Sequence, residues 1–198
     1  MTARAAVHPI EQESYAILRS RLDTGDLPPL TRAVVERVVH TSADTTWVGD
    51  LVAGEDALRA GRDALLAGAP LVTDVRMVAA GITARPSVVA LDLVHEAAPG
   101  LTRSATGIRA AVAQHPDGAV WVIGNAPTAL HELVRCAADG LVRTPLVVGL
   151  PVGFVGAVEA KAALRASGLP AVSNRGERGG AAVAAAAVNA LLYSEEAR

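Results

Sequence analysis

The chain predicts an α/β fold: a single domain with a central, mainly parallel sheet covered by helices on both faces, plus an N-terminal helical arm. Three observations lead there. The apolar runs at 119–123, 145–149 and 170–173 lack the alternation of a half-solvated strand, as a sheet buried on both faces requires. Each is followed by an apolar stretch of helical period, so strand and helix alternate. Each also enters its helix through a glycine-bearing turn, at Ile123–Leu130, Gly149–Gly156 and Arg175–Gly180. A parallel α/β sheet binds ligands outside the carboxyl ends of its strands, where glycine admits close backbone approach and helix N-termini offer unpaired N–H groups. Three such turns predict one binding edge.

The elements follow in order. Residues 9–22 read as a helix, with Pro9 in its first turn and Ile10, Ser14, Ile17, Leu18 and Leu22 near one face. Asp26-Leu27-Pro28-Pro29 breaks the chain and sets off the arm, 1–27, within one domain of 1–198. A second helix at about 31–40, capped by Thr31, buries Val34, Val35, Val38 and Val39 and makes Arg37 and His40 surface neighbours. A third spans 57–66 and ends at Gly68, and 70–74 is a short strand. A strand near 87–93 and a helix at 103–114 come next, then strand 119–123, helix 127–138, strand 145–149, helix 155–166, strand 170–173 and helix 180–192.

Composition narrows the function. With 198 residues, 51% of them hydrophobic and 19% charged, the chain can bury a sizeable core. A formal charge of −2 and 3% aromatic residues give neither attraction to a polyanion nor a base-stacking surface, so nucleic acid is not expected. No apolar run reaches the ~18 residues a membrane span needs, and Met1–Pro9 runs directly into a charged amphipathic stretch and does not read as a targeting segment, so the expected compartment is the cytoplasm. Cys136 stands alone, which excludes an intrachain disulfide and multi-cysteine zinc, and it reads as a small buried apolar residue. The histidines His8, His40, His95, His115 and His131 share no metal spacing, so no metal is expected.

The candidates for chemistry gather at the predicted edge. No turn carries the dinucleotide fingerprint or a Gly-Lys-Ser/Thr phosphate loop. Arg103, Arg175 and Arg178 fall at or beside helix N-termini, against the helix dipole, which calls for a compensating anion. That anion is either a ligand bearing several carboxylates or phosphates, or a local acid such as Glu177. Asp74, just after a strand, reads as a ligand-edge residue or as a helix-capping carboxylate. His40 closes an apolar helix ahead of a polar run and, with an ordinary pKa near ~6.5, can exchange a proton at neutral pH. No Gly-x-Ser-x-Gly elbow or assignable Cys–His pair supports a hydrolase.

The same segments resemble the precorrin-8X methylmutase family. The resemblance is carried by His8-Pro9-Ile10-Glu11 with 14–19, Arg37–Thr41, Gly68–Pro70 through Gly81-Ile82-Thr83, Leu101–Ser104, the three glycine turns, and Ala185–Leu191. It covers nearly the whole chain. It implies a cofactor-free isomerase that moves a methyl group from C-11 to C-12 of a polycarboxylated tetrapyrrole, with or without cobalt. It implies His40 as the acid. It implies a substrate pocket lined by Ser14, Arg37, Thr83, Arg103, Ser104, Asn125, Thr128, Gly153, Phe154, Lys161, Arg175, Arg178, Gly179 and Gly180. It also implies a homodimer with sites near the subunit interface. The chain departs from the family pattern at Ala160 and Ala181, where pocket hydroxyls are usual, in the short segment Ala84–Ser87, and at Trp47-Val48-Gly49.

Overall fold

The computed structural model describes residues 8–193; the expectation about a targeting segment falls mainly on Met1–Val7, outside the described residues, as do the last residues of the expected domain. Six strands form one sheet in the order β1-β6-β5-β4-β2-β3. They are β1 Leu51–Ala53, β2 Leu71–Thr73, β3 Val88–Val89, β4 Val120–Ile123, β5 Leu146–Gly149 and β6 Ala171–Asn174. All pairings are parallel except that of β1, which runs antiparallel on β6 with Leu51 opposite Asn174. The helices are α1 Pro9–Arg21, α2 Pro29–Ser42, α3 Trp47–Asp50, α4 Glu55–Leu66, α5 Arg76–Gly81, α6 Arg103–Gln114, α7 Pro127–Ala138, α8 Ala157–Ala166 and α9 Ala181–Tyr193.

Successive strand residues point to opposite faces, and the two sets build two cores. Val120, Val122, Leu146, Val148 and Val172 pack with residues of α2, α4 and α9, whereas Val72, Trp121, Ile123 and Val147 pack with α6, α7 and α8. Helix α9 is buried from Val183 through Leu191, and its alanines let it lie between the sheet and α2. Burial of this kind contributes about 1.5–3 kcal/mol per large aliphatic side chain. Among the described residues no helix is long and apolar enough to cross a membrane.

The structure differs from the sequence reading at four places. Helix α2 starts at Pro29, not at a Thr31 cap: the distant Glu55 carboxylate accepts from Leu30 N (3.0 Å), Thr31 N (2.9 Å) and Thr31 Oγ1 (2.8 Å). The expected strand at 87–93 is only β3, because Ala90–Leu93 coils into a 3₁₀ turn whose Leu91 N donates to Asp74 O. Strand β1 and helices α3 and α5 are additions, too short for periodicity to register. On α1, Leu18 is buried but Ile10 and Ile17 are 70% and 45% exposed, so they do not share its inner face.

Candidate active site

The three glycine turns do lie at the carboxyl edge of the sheet, but their amides meet different fates. After β4, the buried Asp74 at the end of β2 accepts from Gly124 N (3.1 Å), Asn125 N (2.8 Å) and Ala126 N (3.0 Å). Burial pushes this carboxyl's pKa up, and the converging N–H groups oppose that rise. Asp74 thus holds the turn that leads into α7 by its backbone amides, and its side chain caps neither α5 nor α7.

After β6, Asp50 at the end of α3 accepts from Asn174 Nδ2 (2.9 Å), Arg175 N (2.9 Å), Gly176 N (3.2 Å) and Arg178 Nη2 (3.0 Å). Although burial raises the Asp50 pKa, these hydrogen bonds outweigh it and hold the carboxyl below its usual range. The other guanidinium nitrogen of Arg178 donates to Asp44 and Thr46, and the group lies 4.7 Å from the Trp47 ring centroid. The compensating anion for Arg178 is therefore internal, and Trp47 is its platform. Arg175 is exposed and donates to Gly49 O at 3.3 Å. Lys161, expected in the pocket, is fully buried beneath this turn.

The turn after β5 is open. Among the described residues no side chain caps α8, and Gly156 precedes it at φ 77°, a left-handed conformation that costs glycine nothing. Phe154 and Val155 are 93% and 88% exposed. The open turn is stitched to the closed one, since Gly180 N donates to Leu150 O (2.9 Å) and Gly153 N to Glu177 O (3.2 Å). Gly179 lies so close to the carbonyl oxygens of Leu150 and Pro151 that any Cβ there would collide with them.

Beside these turns the N-termini of α6 and α7 meet, with Thr102 Oγ1 and Thr128 Oγ1 2.9 Å apart. Arg103 and Asn125 are exposed and Ser104 is half-buried, their side chains without a partner among the described residues. Together with the uncapped α8, this is an anion-favouring surface of helix N-termini, one free guanidinium and hydroxyls.

His40 sits near the end of α2, just before Asp44, the partner of Arg178, and so at the same edge. Its Nδ1 is 2.9 Å from Ser14 Oγ on α1, and its ring stacks on Tyr15 with centroids 4.8 Å apart and planes 7° from parallel. Its Nε2 has no partner among the described residues. Arg37 donates to Glu11 (2.8 Å) and to the Tyr15 hydroxyl (3.3 Å), so Tyr15 is held from both sides. Thr83 stands apart: its hydroxyl is 3.1 Å from that of Tyr193, at the far end of α9 from Gly180, about 18 Å along the helix.

Sequence reasoning missed Tyr15, Asp44 and Asp50 as parts of this site. For Tyr15 its place one residue after Ser14, with Arg37 one turn before His40, was a usable signal; for Asp50 there was none, because β1 was not recognised.

A model of the precorrin-8X methylmutase family matches residues 9–194. The chain belongs to that family. It is 42% identical to a precorrin-8X methylmutase of Pseudomonas aeruginosa, over 94% of this chain and 95% of the relative. It is 40% identical to a cobalt-precorrin-8 methylmutase of Salmonella typhimurium, over 93% of each. A crystal structure of precorrin-8x methyl mutase from Thermus thermophilus superposes with a TM-score of 0.84 at 34% identity, covering 92% of this chain and 93% of that one. Precorrin-8X methylmutases are isomerases of cobalamin biosynthesis, and this chain is one of them. Of its departures from the family pattern, Ala160 is buried in the apolar core with α7 and does not line the edge. Ala181 is half-buried at the first position of α9.

Proposed function

We propose that the enzyme moves a methyl group from C-11 to C-12 of precorrin-8X, or of its cobalt form, giving hydrogenobyrinate or cobyrinate, with His40 as general acid. The observation that carries this reading is the Ser14–His40–Tyr15 arrangement, which fixes the imidazole by one nitrogen and one face and leaves Nε2 open. As imidazolium, His40 donates Nδ1–H to the Ser14 oxygen and directs Nε2–H at the substrate. Protonation by Nε2 polarises the conjugated ring while the methyl migrates, and the proton returns to Nε2 afterwards, so the isomerisation is balanced. A positioned acid of this kind supplies about 10²–10⁴ in rate, and holding the reduced macrocycle in a reactive shape supplies more.

The acetate and propionate side chains of the substrate match the anion-favouring surface. Arg103, Ser104, Thr128 and Asn125 take one side, the α8 N-terminus with Gly153 and Phe154 the middle, and Arg175, Gly179 and Gly180 the other. A cobalt ion travels inside the macrocycle and needs no protein ligand. We assign the active form as a cytoplasmic homodimer. The exposed Ile10 and Ile17 support a second copy against α1.

The test is the visible spectrum of the purified protein mixed with precorrin-8. Wild type is expected to produce the orange hydrogenobyrinate chromophore, and His40→Ala to bind the tetrapyrrole but turn it over about 10²–10⁴ times more slowly. Full activity in His40→Ala would end the acid assignment, and tight binding without turnover in wild type would leave a corrinoid carrier.

A further inference from the structure

Lys161 is unusual in being a charged side chain with no solvent exposure at all. Its three N–H donors meet three acceptors: Asn174 Oδ1 at 2.9 Å, Arg178 O at 2.7 Å, and Gly176 O. Asn174, also fully buried, turns its Nδ2 to Asp50 (2.9 Å) and to Arg178 O (3.0 Å). The turn 174–180 is thereby held from two sides, its N–H groups on the Asp50 carboxylate and its carbonyls on the Lys161 ammonium, with Asn174 bridging the two. An apolar side chain in place of Lys161 would leave the buried Asn174 Oδ1 unpaired and the carbonyls of Gly176 and Arg178 with only Asn174 Nδ2 as donor, which is the costly case.

We infer that Lys161 is a positioning residue: through Asn174 and the carbonyls of Gly176 and Arg178 it sets the backbone that presents Gly179 and Gly180 to the substrate, without touching substrate itself. This rests on the reading that the 174–180 turn borders the tetrapyrrole site. The charge is retained inside because the three acceptors and Asp50 replace lost water. Burial nevertheless pushes the lysine pKa down, to about 8, with Asp50 and Glu177 opposing that shift and Arg165 and Arg178 adding to it.

The test compares wild type, Lys161→Met and Leu164→Ala. The last removes a buried side chain one turn along α8 and serves as a control for general loss of stability. Hydrogen exchange of the Arg175 and Gly176 amides in the ligand-free protein is read alongside KM and kcat for the tetrapyrrole. Lys161→Met is expected to exchange these amides about tenfold or more faster and to raise KM by a similar factor, with kcat within about threefold of wild type. Leu164→Ala is expected to do neither. A raised KM with unchanged exchange would mean that Lys161 contacts substrate, and equal effects in Leu164→Ala would reduce its role to stability; either overturns the inference. If Lys161→Met does not fold, Lys161→Gln, whose amide supplies two donors, carries the same comparison and is expected to fall between. If wild type turns over no tetrapyrrole, the assignment of the site falls, while the exchange rates still decide whether Lys161 holds the turn.

Discussion

The turns after β5 and β6 are neighbours joined by two backbone hydrogen bonds, and both are rich in glycine, yet one is open and the other closed. The closed turn has its amides on Asp50, its carbonyls on Lys161 and its arginine on Asp44 and Asp50. The open turn leads into an uncapped helix and leaves Phe154 and Val155 in solvent. The turn after β4 belongs with the closed one, because Asp74 takes its amides. A glycine turn at a strand end therefore marks a tight connection, while its availability to a ligand depends on whether an acid elsewhere has already claimed its N–H groups.

Removing those acids is the most forceful way to break the comparison. Asp74→Ala leaves three buried or half-buried N–H groups unpaired and is expected to cost about 3–5 kcal/mol, a drop in melting temperature on the order of 10 °C for a chain of this size. Asp50→Ala is expected to cost less, about 1–3 kcal/mol, because Arg175 and Arg178 lie nearer solvent and water can replace part of the carboxylate. Thermal melts of the two variants side by side check the order. A smaller loss for Asp74→Ala than for Asp50→Ala would mean that the β4 turn is not built on its carboxylate.

The same contrast explains what was legible in the sequence. The glycines, the apolar strand runs and the helix periods are local, so the sheet, most of its helices and the edge that carries the three turns could be read from them. Helical spacing made Arg37 and His40 legible as neighbours and the resemblance named Ser14, but the Ser14–His40 contact across two helices was not legible. The closure of two turns was not, since Asp74 stands about 50 residues before the amides it holds and Asp50 about 125 before its own. For that reason Arg178 was read with a ligand and a local acid both open, since a cation beside a turn looks the same in sequence whether its anion is a substrate or an internal acid, and Lys161 was named by the resemblance alone.

The closed turn should also respond to pH in a defined direction. The folded chain releases the Lys161 proton near pH 8, whereas the unfolded chain holds it to its ordinary 10.5. Between those values the unfolded state binds more protons, so the contribution of this group to stability rises with pH from about 8 to 10.5. Below pH 8 both states are protonated and the contribution is flat. Denaturant titrations of wild type and Lys161→Met across this range are expected to show the wild-type advantage growing with pH. A difference independent of pH would show that burial does not lower this lysine's pKa.

The smallest effect on stability belongs to the open turn, and it separates the two turns most sharply. Phe154 is 93% exposed and buries little that folding could use, so Phe154→Ser is expected to change stability by no more than about 0.5 kcal/mol. An aromatic ring kept in water contributes only when a ligand covers it, and in the proposed site the apolar face of a tetrapyrrole would supply that cover. Losing the ring's burial, about 1.5–3 kcal/mol, should therefore appear in KM as a rise of roughly ten- to a hundredfold, against an almost unchanged melt. The closed turn predicts the opposite pairing, in which any change that alters KM also loosens the backbone of the free protein. Finding a large loss of stability in Phe154→Ser, or an unaltered KM, would remove the distinction between a turn that waits for its ligand and one already occupied by the protein's own charges.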